Sequence, residues 1–230
     1  VGSEMCIRDS SITYENGTMD LFADEKPQAV AASYPYPPVS RSYSLGELFD
    51  EGGVRGIVIR VSEDGRHGLL LSLVEGKAAW GFINKNPLKE KGFASSCTDT
   101  EDGWKNILAI RKLIANTDLL WSNLPAFSWC KDLGPGWYLP ARKELESIWN
   151  FGRSNPAYTY KEHKEAIEKL NLRLAEYGQP ELGRMRDYWN STEADAKRAH
   201  ILVFTNAPFK SYTKGTEKFA ERFVRAVHKF

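Results

Sequence analysis

Cysteine is scarce in this chain: Cys6, Cys97 and Cys130 are its three, and none sits in a C-x-x-C pair. That excludes a zinc ribbon and a disulfide-dense scaffold. A Cys97–Cys130 disulfide and two buried thiols both remain open at this point. Histidine is nearly as scarce. His67, His163, His200 and His228 neither flank a cysteine nor neighbour a G-x-S-x-G elbow, so no nucleophile and base declare themselves. Charge of one sign is also missing. The 31 basic and 30 acidic residues are interspersed, leaving a net charge of +1, and no phosphate-neutralising block stands out; nucleic acid is not an expected partner. The longest apolar runs, "GIVIRV" and "GLLLSLV", fall far short of the ~20 residues of a membrane helix, so no membrane insertion is expected.

What is abundant is core-forming material. The chain of 230 residues is 42% apolar and 12% aromatic, with seven tryptophans, too rich for a disordered chain. The opening "VGSEMCIRDS", residues 1–10, has no periodicity and resembles translated adaptor sequence at the ends of metagenomic reading frames. It is set aside with Cys6 as non-native, and it says nothing for or against export. Residues 11–42 are patterned weakly and end in "SYPYPPVSRS", the composition of an extended connector. Residues 43–230 are expected to form the globular domain.

Within that domain "RGIVIRV" and "GLLLSLV" flank "SEDGRHG", whose Asp64-Gly65 marks an antiparallel hairpin. "DGWKNILAIRKLIAN" spaces Trp104, Ile107, Leu108 and Ile114 as an amphipathic helix, capped by Asp102 or Thr100. "GPGWYLPARKELESIW" combines a glycine-proline turn with a helix start at Pro140–Ala141. Glu144 there takes the reaching position of a capping box, and Leu145, Ile148 and Trp149 share a face. A further helix, "TYKEHKEAIEKLNLRLAEYG", has a capping box at Thr159 and Glu162, a stripe at Ala166, Ile167, Leu170 and Leu174, and Gly178 to end it. From Tyr188 the pattern returns to strands: "DYWNSTEAD", "AHILVFTN" and "EKFAERFVRAVHKF", the last read as one alternating strand. Strands at both ends with helices between them predict an α+β domain.

Three pieces in this order, "GWYLPARKELESIW", "YWNSTEAD" and "RFVRAVHKF", resemble the DUF1566 and Fibrobacter succinogenes major paralogous domains, in the version common in gut Bacteroidetes. The resemblance covers about residues 43–230. It implies a C-type-lectin-like fold, with antiparallel sheets, flanking helices and paired N- and C-terminal strands. It also implies a cell-envelope setting and recognition near the final strands. The chain departs from the pattern at Asn190, in the stretch after Glu193, and in carrying the extra helix from Thr159 to Tyr177.

The expected function is therefore non-enzymatic recognition or display of a protein or carbohydrate ligand by a bacterial envelope protein, with no cofactor and no metal. The expected contacts are Tyr188, Glu193, Asp195, His200, Asn206, Lys210, Tyr212 and Lys214, in the loop after Glu193 and the hairpin at 206–216. Tyr188 is expected to be exposed beside a core Trp189. Asn190, Glu193 and Asp195 have the oxygen chemistry of a calcium site, but loop capping is the preferred reading of Glu193. Trp80 has the face for a sugar platform, but the tryptophans as a set, including Trp129, Trp137 and Trp149, read as core. The alternatives are an enzyme on a scaffold like that of formylglycine-generating enzymes, and a structural domain of a larger protein.

Overall fold

A computed structural model describes residues 13–14, 17–18, 34–148, 151, 160–182, 186–203 and 213–230. Among the described residues, strands β1 (Thr13–Tyr14) and β2 (Gly17–Thr18) pair only with each other. The domain proper begins with β3 (Leu48–Glu51), β4 (Val54–Val61), β5 (Gly68–Ser72) and β6 (Gly76–Ala79). Helices α1 (Gly103–Ala115), α2 (Pro125–Lys131), α3 (Arg142–Glu146) and α4 (Tyr160–Glu176) follow. Strands β7 (Asp187–Glu193), β8 (Arg198–Val203), β9 (Thr213–Glu217), β10 (Glu221–Val224) and β11 (Val227–Lys229) complete it. The architecture is α+β, built on a four-stranded sheet ordered β11-β5-β4-β3 and a five-stranded sheet ordered β6-β10-β7-β8-β9. Every pairing is antiparallel except β10 with β7.

The β4–β5 hairpin forms where the sequence places it. Gly65 supplies the φ of +69° that the turn requires, and Val61 pairs with Gly68. Helix α1 starts at Asp102, whose carboxylate accepts from Trp104 N–H at 2.9 Å. Helix α4 ends at Gly178, with φ +64° and Gln179 N–H donating to Leu174 C=O at 2.9 Å. Thr159 and Trp149 lie outside the described residues, so the first half of that capping box and one tryptophan of the corner have no structural account.

Four expectations need correction. The run from Glu217 to Phe230 is not one strand: it turns at Lys218–Ala220 between β9 and β10, and it breaks again at Arg225–Ala226, where the chain leaves the five-stranded sheet and enters the other. Arg225 faces inward at that break and donates to the carbonyls of Ser72, Leu73 and Pro180, with Glu75 at 3.5 Å. The first and last strands of the domain share a sheet but are not partners, because β5 and β4 lie between β11 and β3. Helix α3 is a single short turn, and α2, unanticipated, packs against β6. Finally, the packed unit begins within the expected connector. Tyr34 donates to Gly136 C=O and accepts from Lys229 N–H, both at 2.7 Å, and packs edge-on against Trp104 and Tyr138.

Two tryptophans tie the five-stranded sheet together, and Trp80 also packs edge-on against Phe127 of α2. Trp80 and Trp189 are fully buried and reach across the five-stranded sheet: Trp80 Nε1–H donates to Asn190 C=O and Trp189 Nε1–H to Ala78 C=O. Trp80 is therefore core and offers no ring face to a sugar. Cys97 and Cys130 are both buried, unbridged thiols. Burial pushes the Cys97 thiol up to about 12.

Candidate functional site

The corner around Pro140 is a brace. Gly136, at φ +82°, lies directly beneath the imidazole of His228, where a Cβ would overlap the ring. Tyr138 pairs with Val227 across an isolated antiparallel bridge. Pro140 C=O accepts from Ser191 N–H at 2.8 Å. Beneath the corner the carboxylate of Glu144 is fully buried. It accepts from Ala141 N–H at 2.8 Å, Gly103 N–H at 2.9 Å and Tyr138 Oη–H at 2.6 Å. One side chain thus fills orphan donors at the starts of both α1 and α3. Desolvation raises its pKa against the pull of those donors. His228 is spent too: its ring nitrogens face Pro135 C=O at 3.0 Å and Lys229 C=O at 2.6 Å, and burial lowers its pKa.

A concavity opens instead at one end of the five-stranded sheet. The β7–β8 turn, the β9–β10 turn and the loop after β6 converge there around about 290 Å³, lined in part by Gly92, Phe93, Lys197, Glu217, Lys218 and Phe219. Its floor is Lys218, which is only 2% exposed. The ammonium donates to the carboxylate of Glu193 and to the carbonyls of Phe93 and Ala196, and it sits 4.7 Å from the Trp80 ring centroid and 4.4 Å from that of Phe93. Burial lowers its pKa while Glu193 opposes that shift. Glu193 also accepts from Ser95 N–H at 2.9 Å. Gly92, at φ +72°, allows the loop to approach Ala196 closely, and Phe93 N–H donates to Ala196 C=O at 2.8 Å. The walls are thereby rigid, while Lys197 and Glu217 are exposed at the rim.

The expected contact residues divide around this geometry. Glu193 lies beneath the concavity but is committed to Lys218. Asp195 belongs to the rim turn, where Arg198 holds its carboxyl down at about 2 and the N–H groups of Lys197 and Arg198 donate to it. With Asn190 Oδ1 accepting from Thr192 N–H, the oxygen set weighed for calcium is occupied by the protein itself. Tyr188 is fully buried, contrary to expectation, because its hydroxyl bonds to Glu75 at the opposite end of β7. His200 is half-buried in β8, opposite Gly215. Asn206, Lys210 and Tyr212 lie outside the described residues, and of Lys214 only the backbone, opposite Ile201, is described.

Of the two segments expected to make one surface, only the turn after Glu193 is fully described, since residues 204–212 lie outside the described residues. Lys218 was not anticipated, because the run from Glu217 was read as one alternating strand; no local signal marks the burial of its ammonium. The carbonyl of Cys97 accepts from Glu193 N–H at 2.7 Å, which ties the loop before α1 to the end of β7.

No family model matches the chain, and no curated protein matches it. The DUF1566 resemblance therefore rests on the motifs alone. Among solved structures, a fimbrial protein from Bacteroides ovatus is similar at 18% identity and a TM-score of 0.49, over 73% of this chain and 36% of that one. The chain thus spans about a third of that protein's length, and a likeness this shallow carries no statement about its role. Among the described residues no helix is long and apolar enough to cross a membrane, and no group of three or more His, Cys, Asp or Glu side chains could hold a metal ion.

Proposed function

We propose that the chain is a non-enzymatic recognition or display module with a C-type-lectin-like domain, set in a bacterial envelope protein. A protein or carbohydrate ligand would meet the turns at the open end of the five-stranded sheet. One observation carries the reading: three connections converge on a rigid concavity whose buried ionisable groups are consumed by the scaffold, leaving Lys197, Glu217 and Phe219 at its mouth. Its size, near the lower bound of small-molecule pockets, suits a short side chain or a single sugar ring entering from a larger partner. Asp195 contributes by fixing the turn that presents Lys197.

The reading is tested on arrays of proteins and glycans with the purified chain, followed by Lys197→Ala and Phe219→Ala. Both substitutions are expected to weaken any array-detected partner at least tenfold while the unfolding midpoint stays in place. A cooperatively folded chain that binds nothing across a broad array, or a partner indifferent to both substitutions, overturns it in favour of a structural domain. The formylglycine-enzyme alternative requires a reactive thiol; Cys97 and Cys130 are both fully buried, with pKa values raised by desolvation.

A further inference from the structure

A second concavity, about 370 Å³, lies on the four-stranded sheet, where the β4–β5 turn meets β11 and the segment that precedes β3. Tyr36, Arg60, Val61, His67, Gly68 and Lys229 line it. Tyr36 stands out: it is 60% exposed, yet its ring is held in place. It packs edge-on against Tyr34 at 4.7 Å and 63°, and Tyr34 is itself pinned between Gly136 and Lys229. An exposed aromatic ring on a fixed neighbour is a platform that loses little freedom when a ligand stacks on it.

The charge around that platform is unbalanced. Lys229 is offset by Asp102, with Nζ–Oδ1 at 2.8 Å, and Asp64 in the adjoining turn is engaged by Ser62 Oγ–H and Arg66 N–H. Arg60 is exposed and has no ion-pair partner among the described residues. A guanidinium without a carboxylate, beside an open tyrosine ring, presents a planar fork of donors suited to a bidentate anion. His67, exposed in the same turn, adds a further polar edge.

We infer that this concavity binds a carboxylated pyranose, such as a uronic acid residue of an acidic polysaccharide. The apolar face of the sugar stacks on Tyr36, and its carboxylate meets the Arg60 fork. An acidic peptide fits less well, because the open feature of the lining is the flat ring of Tyr36, which suits another ring, and Val61 is its one half-buried aliphatic side chain. The site lies on the other sheet from the Lys218 concavity and stands or falls independently of it.

Titration calorimetry of the whole chain tests the inference with three probes: a short uronic-acid oligosaccharide, a neutral glucose oligosaccharide of equal length, and an acidic peptide. Saturable binding of the uronic oligosaccharide, at least tenfold tighter than the neutral one, is expected. Tyr36→Ala and Arg60→Gln should each weaken it at least tenfold, with Arg60→Gln also removing the preference for acid over neutral sugar. Lys197→Ala should leave it unchanged. Absence of saturable binding, equal affinity for the neutral sugar, stronger binding of the peptide, or insensitivity to Arg60→Gln in a chain of unaltered unfolding midpoint overturns the inference.

Discussion

Replacing Lys218 with methionine removes the ammonium while keeping an unbranched stem beneath Trp80 and Phe93. In the native chain the ammonium has a carboxylate, two carbonyls and two ring faces around it, at 2% exposure, and Glu193 is only 8% exposed. Deleting one partner of a buried pair leaves the other charge desolvated, which costs about 3–5 kcal/mol. Glu193 keeps its bond from Ser95 N–H, so the lower part of that range is expected. For a chain of this size each kcal/mol lowers the melting temperature by about 2–4 °C, giving a drop of roughly 6–15 °C. The assay is urea unfolding of Lys218→Met, Glu193→Gln and the double variant. The double variant should recover at least about 1.5 kcal/mol of the summed single losses, because the two groups stabilise each other. A loss below about 1 kcal/mol for Lys218→Met, or additive losses, would show that the pair does not hold the floor of the concavity.

Other outcomes follow from the same contacts. Arg225→Leu strips three carbonyls and Glu75 of their donor inside the fold and should cost about 3–5 kcal/mol in the same unfolding assay. Gly136→Ala combines a left-handed backbone angle with a Cβ inside the His228 ring and should destabilise by about 2 kcal/mol or more by thermal melt. His228 is shifted below its ordinary 6.5 by burial, so the unfolded chain takes up a proton first as pH falls. Its share of stability is complete above pH 6.5 and declines below it, by at most about 1.4 kcal/mol per pH unit. Subtracting the profile of His228→Gln from the native profile between pH 5 and 7.5 isolates that slope, and a difference that grows toward acid pH would refute the sign. Leu88→Ser, at a side chain 96% exposed, should move the midpoint by less than about 0.5 kcal/mol.

The elements legible in the sequence are those closed by neighbours in the chain. The β4–β5 hairpin announces itself through alternation and Asp-Gly, α1 through its stripe and Asp102, and α4 through its stripe and Gly178. Elements whose partners lie far away were opaque. β6, "GKAA", has no strand character of its own and exists because β10 pairs with it. α2, "PAFSWCK", is too short and too evenly apolar for a period to emerge, and its place is set by packing on β6. The break at Arg225 was invisible for the same reason: a run of alternating residues does not reveal that its two halves serve different sheets. The site followed suit. Asp195 was read as a contact in the loop after Glu193 and not as the residue that fixes the turn, and the burial of Lys218 and Tyr188 depends on Glu193 and Glu75, each distant in sequence.

The crossing at Arg225 also bears on how the molecule can assemble. β10 fills the gap between β6 and β7, while β11 is the partner of β5, so the nine residues from Glu221 to Lys229 complete both sheets. On the ribosome the upstream strands must wait, unsealed, until this short segment emerges, and its pairings span most of the chain. A nascent chain interrupted before Glu221 would leave β5, β6 and β7 each lacking a partner strand, a species for chaperones or proteases to receive.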